Sequence, residues 1–268
     1  MSSQIINRFK IDHRQAWPAY AYFKLRETLV RALDGLVPAL RHPVRPVFVI
    51  GCGHTGTTLL TARLGNHPAI TVIPKETSWF IPTRLLWLSR QYFRRELDRC
   101  AQQGKSVLVE KTPKHVHCVE RIGKLMPDAR FIFMTRNPLD TVASLKKRFG
   151  SFEFALDRWL IDNAPAVALK PSPAVMFVRY EDFVTDPHAQ AECIAAFLQI
   201  PVHEAVAEGG ATAYDAQAFA KHPNMRLRQQ QVKYSIKARV NTYAEVLDES
   251  EISEVRTRCA GLMAELGY

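Results

Sequence analysis

The stretch VFVIGCGHTGTTLL, residues 47–60, decides the fold. Val47–Ile50 reads as a buried strand, a Gly-rich turn follows, and Thr57 has the look of a helix start. Gly51 and Gly56 stand in the G-x-x-x-x-G spacing of a P-loop, yet Thr57 occupies the position where that motif carries lysine. A strand-turn-helix of this kind aims backbone N–H groups, and the positive end of a helix, at an anion. Gly51, Gly53 and Gly56 let the chain curl, and Thr55, Thr57 and Thr58 add hydroxyl donors. The cradle suits one tetrahedral anionic group. Without a lysine to reach β- and γ-phosphates, ATP hydrolysis is disfavoured. Strand VLVE ends at Glu110, but Lys111 follows at once, so no clear Walker-type carboxylate is present. A Gly-rich turn with no ligand is the plainer alternative.

Working outward, short apolar runs recur at 47–50, 70–73, 107–110, 131–134 and 175–178, as buried parallel strands do. Helical patterns lie between them, at Thr57–Gly65, Pro82–Cys100, Pro138–Phe149 and Pro187–Leu198. This alternation predicts an α/β fold, a P-loop-like three-layer α/β/α arrangement around a central, mostly parallel sheet of about five strands. Tyr20–Leu40 carries Leu25, Leu29, Leu33 and Leu36 at helical spacing and is expected to dock on the core. A basic amphipathic helix could instead touch a membrane, so peripheral membrane contact stays open, as does a homodimer. Glu249–Leu266 reads as a last helix, and the polar, basic stretch Gly209–Tyr243 as a functional loop or lid.

The 268 residues carry a net charge of +10, which favours anionic partners. The basic residues form no arginine-rich run and no RNA-type aromatic motif, so no nucleic-acid partner is expected. Five scattered cysteines and no C-x-x-C pair suggest neither a disulfide framework nor a thiolate zinc site. No long apolar run and no secretory-type N-terminus are seen, and a cytoplasmic location is expected.

A second anion site is legible in RFIFMTRNPLDTVASLKKR, residues 130–148. A strand ends at Thr135–Arg136, Pro138 suits the first helical position, and Asp140 suits the first turn. Arg136 would stand at the carboxyl edge of the sheet, with Ser144 eight residues on. The competing reading is a helix N-terminus beside a solvated arginine.

Together these stretches resemble the sulfotransferases that use 3′-phosphoadenosine 5′-phosphosulfate (PAPS). GHTGTTLL is similar to their 5′-phosphosulfate loop, and TRNPLDTVAS to their 3′-phosphate motif. EKTPKH (110–115) resembles the segment of the branch that includes bacterial, glycosaminoglycan and tyrosylprotein members, and VRYEDFVTDP (178–187) is a further shared stretch. The resemblance implies one sulfotransferase-type domain over 1–268: a helical extension (1–45), a nucleotide-binding core (46–200), and a basic loop with a C-terminal helix (201–268). It implies that Gly53, His54, Thr55, Gly56, Thr57 and Thr58 hold the 5′-phosphosulfate, and that Arg136 and Ser144 hold the 3′-phosphate. Tyr180, Ser235, Lys237 and Arg239 are further donor contacts by the same likeness. A sulfuryl donor has no γ-phosphate, so the Walker lysine has no task.

The same resemblance implies Glu76 as the general base that takes the acceptor's proton. A carboxylate is a weak base unless buried, and Trp79 and Phe80 are expected to bury it. Lys111 would stabilise charge on the leaving group, and Lys75, Trp79, Phe80 and His115 would meet the acceptor. His115 is also the rival base, because small-molecule relatives place a histidine after a K-T pair. His54 departs from the family, which usually has Arg or Lys there. Negative charge nearby favours an imidazolium, so His54 is expected to be a pH-dependent catalytic cation. His115 and His117 form a weak metal signal, and no metal is expected. The acceptor is expected to be a hydroxyl-bearing small molecule, glycan or lipid. Two alternatives remain: a kinase with a degenerate P-loop, and a non-catalytic nucleotide-binding protein.

Overall fold

A computed structural model describes residues 17–208 and 240–268. In chain order the principal elements are α1 (Trp17–Asp34), β1 (Arg45–Gly51), α2 (Thr57–Leu64), β2 (Ile70–Val72), α3 (Leu86–Gln102), β3 (Val107–Lys111), α4 (Val119–Leu125) and β4 (Arg130–Thr135). There follow α5 (Pro138–Phe149), α6 (Phe152–Leu169), β5 (Val175–Arg179), α7 (Tyr180–Thr185), α8 (Pro187–Leu198), α9 (Ala205–Glu208) and α10 (Glu249–Leu266). A 3₁₀ turn, Pro113–Cys118, joins β3 to α4.

The five strands form one sheet in the order β2-β3-β1-β4-β5, and every pairing is parallel. The expected sheet is thus present in full. Its three central strands, β3, β1 and β4, are buried on both faces, which is why they read as unbroken apolar runs, while the edge strands β2 and β5 are partly exposed. Side chains alternate across the sheet. Val47 and Val49 pack with Leu60 and Leu64 of α2 and with Phe183 and Ile194 of α7 and α8. Phe48 and Ile50 face the other way, among Phe93 and Leu97 of α3 and Ile122 and Leu125 of α4. The outcome is three layers with β1 at the centre.

That strand order puts a topological switch at β1, with β3 on one side and β4 on the other. Open α/β sheets bind ligands outside the carboxyl ends of such strands. The register lines those ends up: Lys111 of β3 pairs with Val49, and Met134 of β4 with Gly51. Gly51 has φ of 138°, and a Cβ there would lie 2.4 Å from the carbonyl oxygen of Met134. Only glycine can end β1 so close to its neighbour.

Two expectations change. The stripe Leu25, Leu29, Leu33 and Leu36 does not dock on the core; these residues are 49–79% exposed, and α1 buries Glu27 and Val30 instead. The inward face is held by an ion pair as much as by packing: Arg121 grips Asp34 at 2.6 and 2.7 Å and also donates to the carbonyls of Phe80, Ile81 and Arg84. Secondly, the sequence pattern predicts no element between α5 and β5, yet α6 is 18 residues long and packs against α5, with Pro165 inside it.

Candidate active site

The loop Cys52–Gly56 leaves β1 and turns into α2. Gly56 is its N-cap, in the left-handed region at φ 93°, and offers no side chain to satisfy the first helical N–H groups. Those groups therefore stay available to an external anion. Thr57 is nearly buried and Thr58 half-buried, and neither hydroxyl has a hydrogen-bond partner among the described residues. Thr55 is different: its hydroxyl donates to the Cys52 carbonyl at 2.7 Å, so it braces the loop instead of reaching outward. His54 takes φ 73°, a left-handed conformation that histidine adopts more readily than most residues.

The second motif folds onto the first. Arg136, one residue beyond β4, donates from Nη1 to the carbonyl of His54 at 3.2 Å. Ser144 Oγ lies 2.8 Å from Nδ1 of His54. Residues 80 to 90 positions apart in the chain thus meet at one loop. Asn137 caps α5 by accepting from the Leu139 amide, which explains why α5 starts where it does. The Arg136 guanidinium sits 4.4 Å over the Tyr180 ring, a cation–π distance. The same ring would meet a Cβ on Gly56 at 2.6 Å, so Tyr180 walls the cradle from below. Asp140, 3.9 Å from Arg136, accepts the amides of Asn241 and Thr242, both at 2.9 Å. The backbone at Asn241 and Thr242 is therefore pinned beside the arginine. Ser235, Lys237 and Arg239 lie outside the described residues.

Across β1, Lys111 ends β3. Neighbouring strands run about 4.8 Å apart, so its place in register with Val49 puts it at the loop's shoulder. Its Nζ donates to Glu76 Oε1 at 2.6 Å. The lysine side chain is 3% exposed and the glutamate 44% exposed. Glu76 is thus not buried by Trp79 and Phe80 as expected; it stands in water with one oxygen held by an ammonium. Its Oε2 has no partner among the described residues. Lys75 is exposed beside it.

Two assigned acceptor contacts are corrected by burial. Phe80 and His115 are both 0% exposed and pack edge to face at 5.4 Å. Buried in this way, neither side chain opens onto the surface where an acceptor or its proton would be met. Trp79 does face outward in part, stacked on Tyr92 at 5.8 Å.

What holds Glu76 in place is Glu110, whose importance the motif alone did not reveal. Its carboxylate is fully buried. It accepts from the Thr77 amide (3.2 Å), the Thr77 hydroxyl (2.9 Å), the Thr112 hydroxyl (2.5 Å) and His115 Nδ1 (3.0 Å). Burial acts to raise the Glu110 carboxyl, but the charge of His115 and the hydrogen bonds of His115, Thr112 and Thr77 outweigh it. The group is held below the usual carboxylate range. Thr77 is the residue after Glu76, so the network ties the Glu76 backbone to β3. The same network turns Glu110 away from the loop. His117 goes elsewhere: its Nε2 lies 2.8 Å from the buried Asp162 of α6. The two histidines of the H-x-H pair thus answer to different carboxylates, and no cluster of three or more His, Cys, Asp or Glu suited to a metal occurs among the described residues.

Two family models match this chain, one described as "Sulfotransferase family" over residues 82–204 and one as "Sulfotransferase domain" over 149–267. Protein-tyrosine sulfotransferase 1 of Danio rerio is 24% identical over 193 residues, 60% of this chain and 54% of that protein. The chain spans about half the length, or less, of the curated relatives it matches first. Among solved structures, the sulfotransferase domain of the Synechococcus PCC 7002 olefin synthase superposes with a TM-score of 0.62 at 18% identity, covering 84% of this chain and 97% of that one. Mouse sulfotransferase SULT7A1, complexed with PAP, superposes at 0.56 and 15% identity, covering 88% of each chain. Among the described residues, no helix is long and apolar enough to cross a membrane.

Proposed function

The chain belongs to the sulfotransferase family, and from that premise we propose that it moves a sulfuryl group from PAPS to an acceptor hydroxyl. One observation carries the reading: Arg136 and Ser144 both converge on His54 of the Gly-rich loop, at 3.2 and 2.8 Å. An anion at the loop and a second anion at α5 are then within reach of one bisphosphorylated nucleotide.

In this reading the N–H groups of α2 and the hydroxyls of Thr57 and Thr58 hold the donor's 5′ end, backed by Gly53, Thr55 and Gly56. Arg136 and Ser144 hold the 3′-phosphate, with Tyr180 beneath. The acceptor hydroxyl attacks sulfur; its oxygen gains the S–O bond, and the bond from sulfur to the 5′-phosphate oxygen breaks. Oε2 of Glu76 accepts the hydroxyl proton, and the leaving group departs as 3′-phosphoadenosine 5′-phosphate (PAP). Lys111, held at the loop's shoulder, stabilises negative charge as it develops on the leaving oxygen. Positioning and charge stabilisation supply most of such a rate. No step is assigned to a metal. The stacked Trp79 and Tyr92 offer an apolar wall to the acceptor, suited to a phenol, a sugar face or a lipid-linked group. Lys75 is placed to orient it.

Titration calorimetry with PAP, and separately with ATP plus Mg²⁺, tests the reading. PAP alone should bind. Preferential, Mg²⁺-dependent binding of ATP would favour the kinase alternative. A related expectation concerns His54. At pH 8 a histidine away from negative charge is largely neutral. His54→Arg should therefore bind PAP at pH 8 at least as tightly as the native chain, and a collapse of affinity in that titration would contradict the reading of position 54 as a cation for the donor.

A further inference from the structure

The Gly-rich loop lacks a permanent cation. Position 54 is histidine, and its ring is turned toward Ser144. A permanent cation nevertheless stands against this loop, delivered by α6. Arg158 Nη2 lies 2.7 Å from where a Cβ on Gly53 would be, so only a glycine at 53 lets the guanidinium approach the backbone this closely. The side chain is 15% exposed and rests on the Phe149 ring at 5.5 Å. Phe149 in turn sits 6.2 Å from the His54 ring. Thus Arg158, Phe149, His54 and Ser144 line one corner.

Arg158 is also paired by charge at one end. Its Nε is sealed from solvent and lies 3.5 Å from Asp162 Oδ2, and Asp162 is itself 1% exposed and anchored by His117. The terminal nitrogens, by contrast, make no hydrogen bond among the described residues. A guanidinium ion-paired at one end and without hydrogen bonds at its terminal nitrogens is equipped to bind an anion. We infer that Arg158 supplies, from α6, the positive charge on the loop's anion that position 54 does not permanently carry. The inference rests on the donor reading given above.

The test is PAP calorimetry on four proteins: native, Arg158→Gln, His54→Arg, and the double variant. A lost charge-assisted contact should weaken PAP by about 10–100-fold in Arg158→Gln. His54→Arg in that background should restore most of the affinity, because the charge returns to the loop from the other side. The dependence of affinity on salt should flatten in Arg158→Gln and recover in the double variant. Thermal unfolding is followed alongside. If Arg158→Gln fails to fold because Asp162 is stranded, Arg158→Gln/Asp162→Asn removes both charges and is titrated in its place. Native-like PAP affinity in the folded variant would overturn the assignment. So would a loss that His54→Arg does not rescue, which would mark Arg158 as a brace for Asp162. A native protein that ignores PAP would overturn the donor reading itself, and the role of Arg158 with it.

Discussion

Glu76→Gln should abolish turnover while leaving PAP binding intact. Gln keeps the side-chain length and an oxygen for Lys111, which Glu76 now meets at 2.6 Å. What it removes is the basic carboxylate oxygen. Losing a general base costs about 10²–10⁴ in rate. The effect belongs to kcat, because Glu76 pairs with Lys111 across β1 and makes no contact with the Arg136–Ser144 corner. Single-turnover assays with labelled donor, paired with PAP calorimetry, separate the two quantities. Near-native turnover in this variant would remove Glu76 from the chemistry. His115→Ala is the instructive comparison. His115 is wholly buried against Glu110, so its loss should lower the unfolding temperature together with activity.

The second large effect is on stability. Glu110→Ala should destabilise the chain by about 3–5 kcal/mol, the cost of breaking a buried charged pair. It strands His115 and leaves the hydroxyls of Thr77 and Thr112 and the amide of Thr77 without their acceptor. For a chain of this size that is a fall of roughly 10 °C in unfolding temperature. Because the carboxyl is held below its ordinary range in the folded state, the unfolded chain binds its proton first as pH falls. The stabilisation is therefore fully present above the unfolded carboxyl's ordinary value of about 4.3 and is lost as pH drops through the lower, folded value. Melting curves from neutral pH down through the acid limb should show this contribution, and Glu110→Gln should lack it. A variant that melts like the native chain at pH 7 would mean that the network holds nothing. Residual activity should also fall, since Thr77 no longer fixes the backbone beside Glu76.

The sheet was legible because its central strands are buried on both faces and so are written as continuous apolar runs, and the edge strands carry the same β-branched and aromatic residues. The anion loop was legible because glycine is demanded where a Cβ would strike Met134 or Tyr180. Helix α6 was not, since Pro165 interrupts it and its weakly sided pattern resembles a connection. Missing α6 meant missing Arg158 and Asp162, which come to the site only through the packing of α6 on α5. The role of Glu110 was hidden for another reason. A carboxylate beside a lysine at a strand end reads as chemistry, and only the structure turns it inward to Thr77, Thr112 and His115. The leucines of α1 have helical spacing whichever way they face, so periodicity could not assign them to solvent.

One comparison tests most directly whether two pockets grip both ends of one nucleotide. PAP, adenosine 5′-monophosphate and adenosine 3′-monophosphate are titrated into the native chain and into Arg136→Gln. The native chain should bind PAP more tightly than either monophosphate. Arg136→Gln should weaken PAP by about 10–100-fold, toward the affinity of the 5′-monophosphate, and leave that compound's own binding unchanged. Equal affinity for all three nucleotides, or equal weakening of all three by the substitution, would contradict the account.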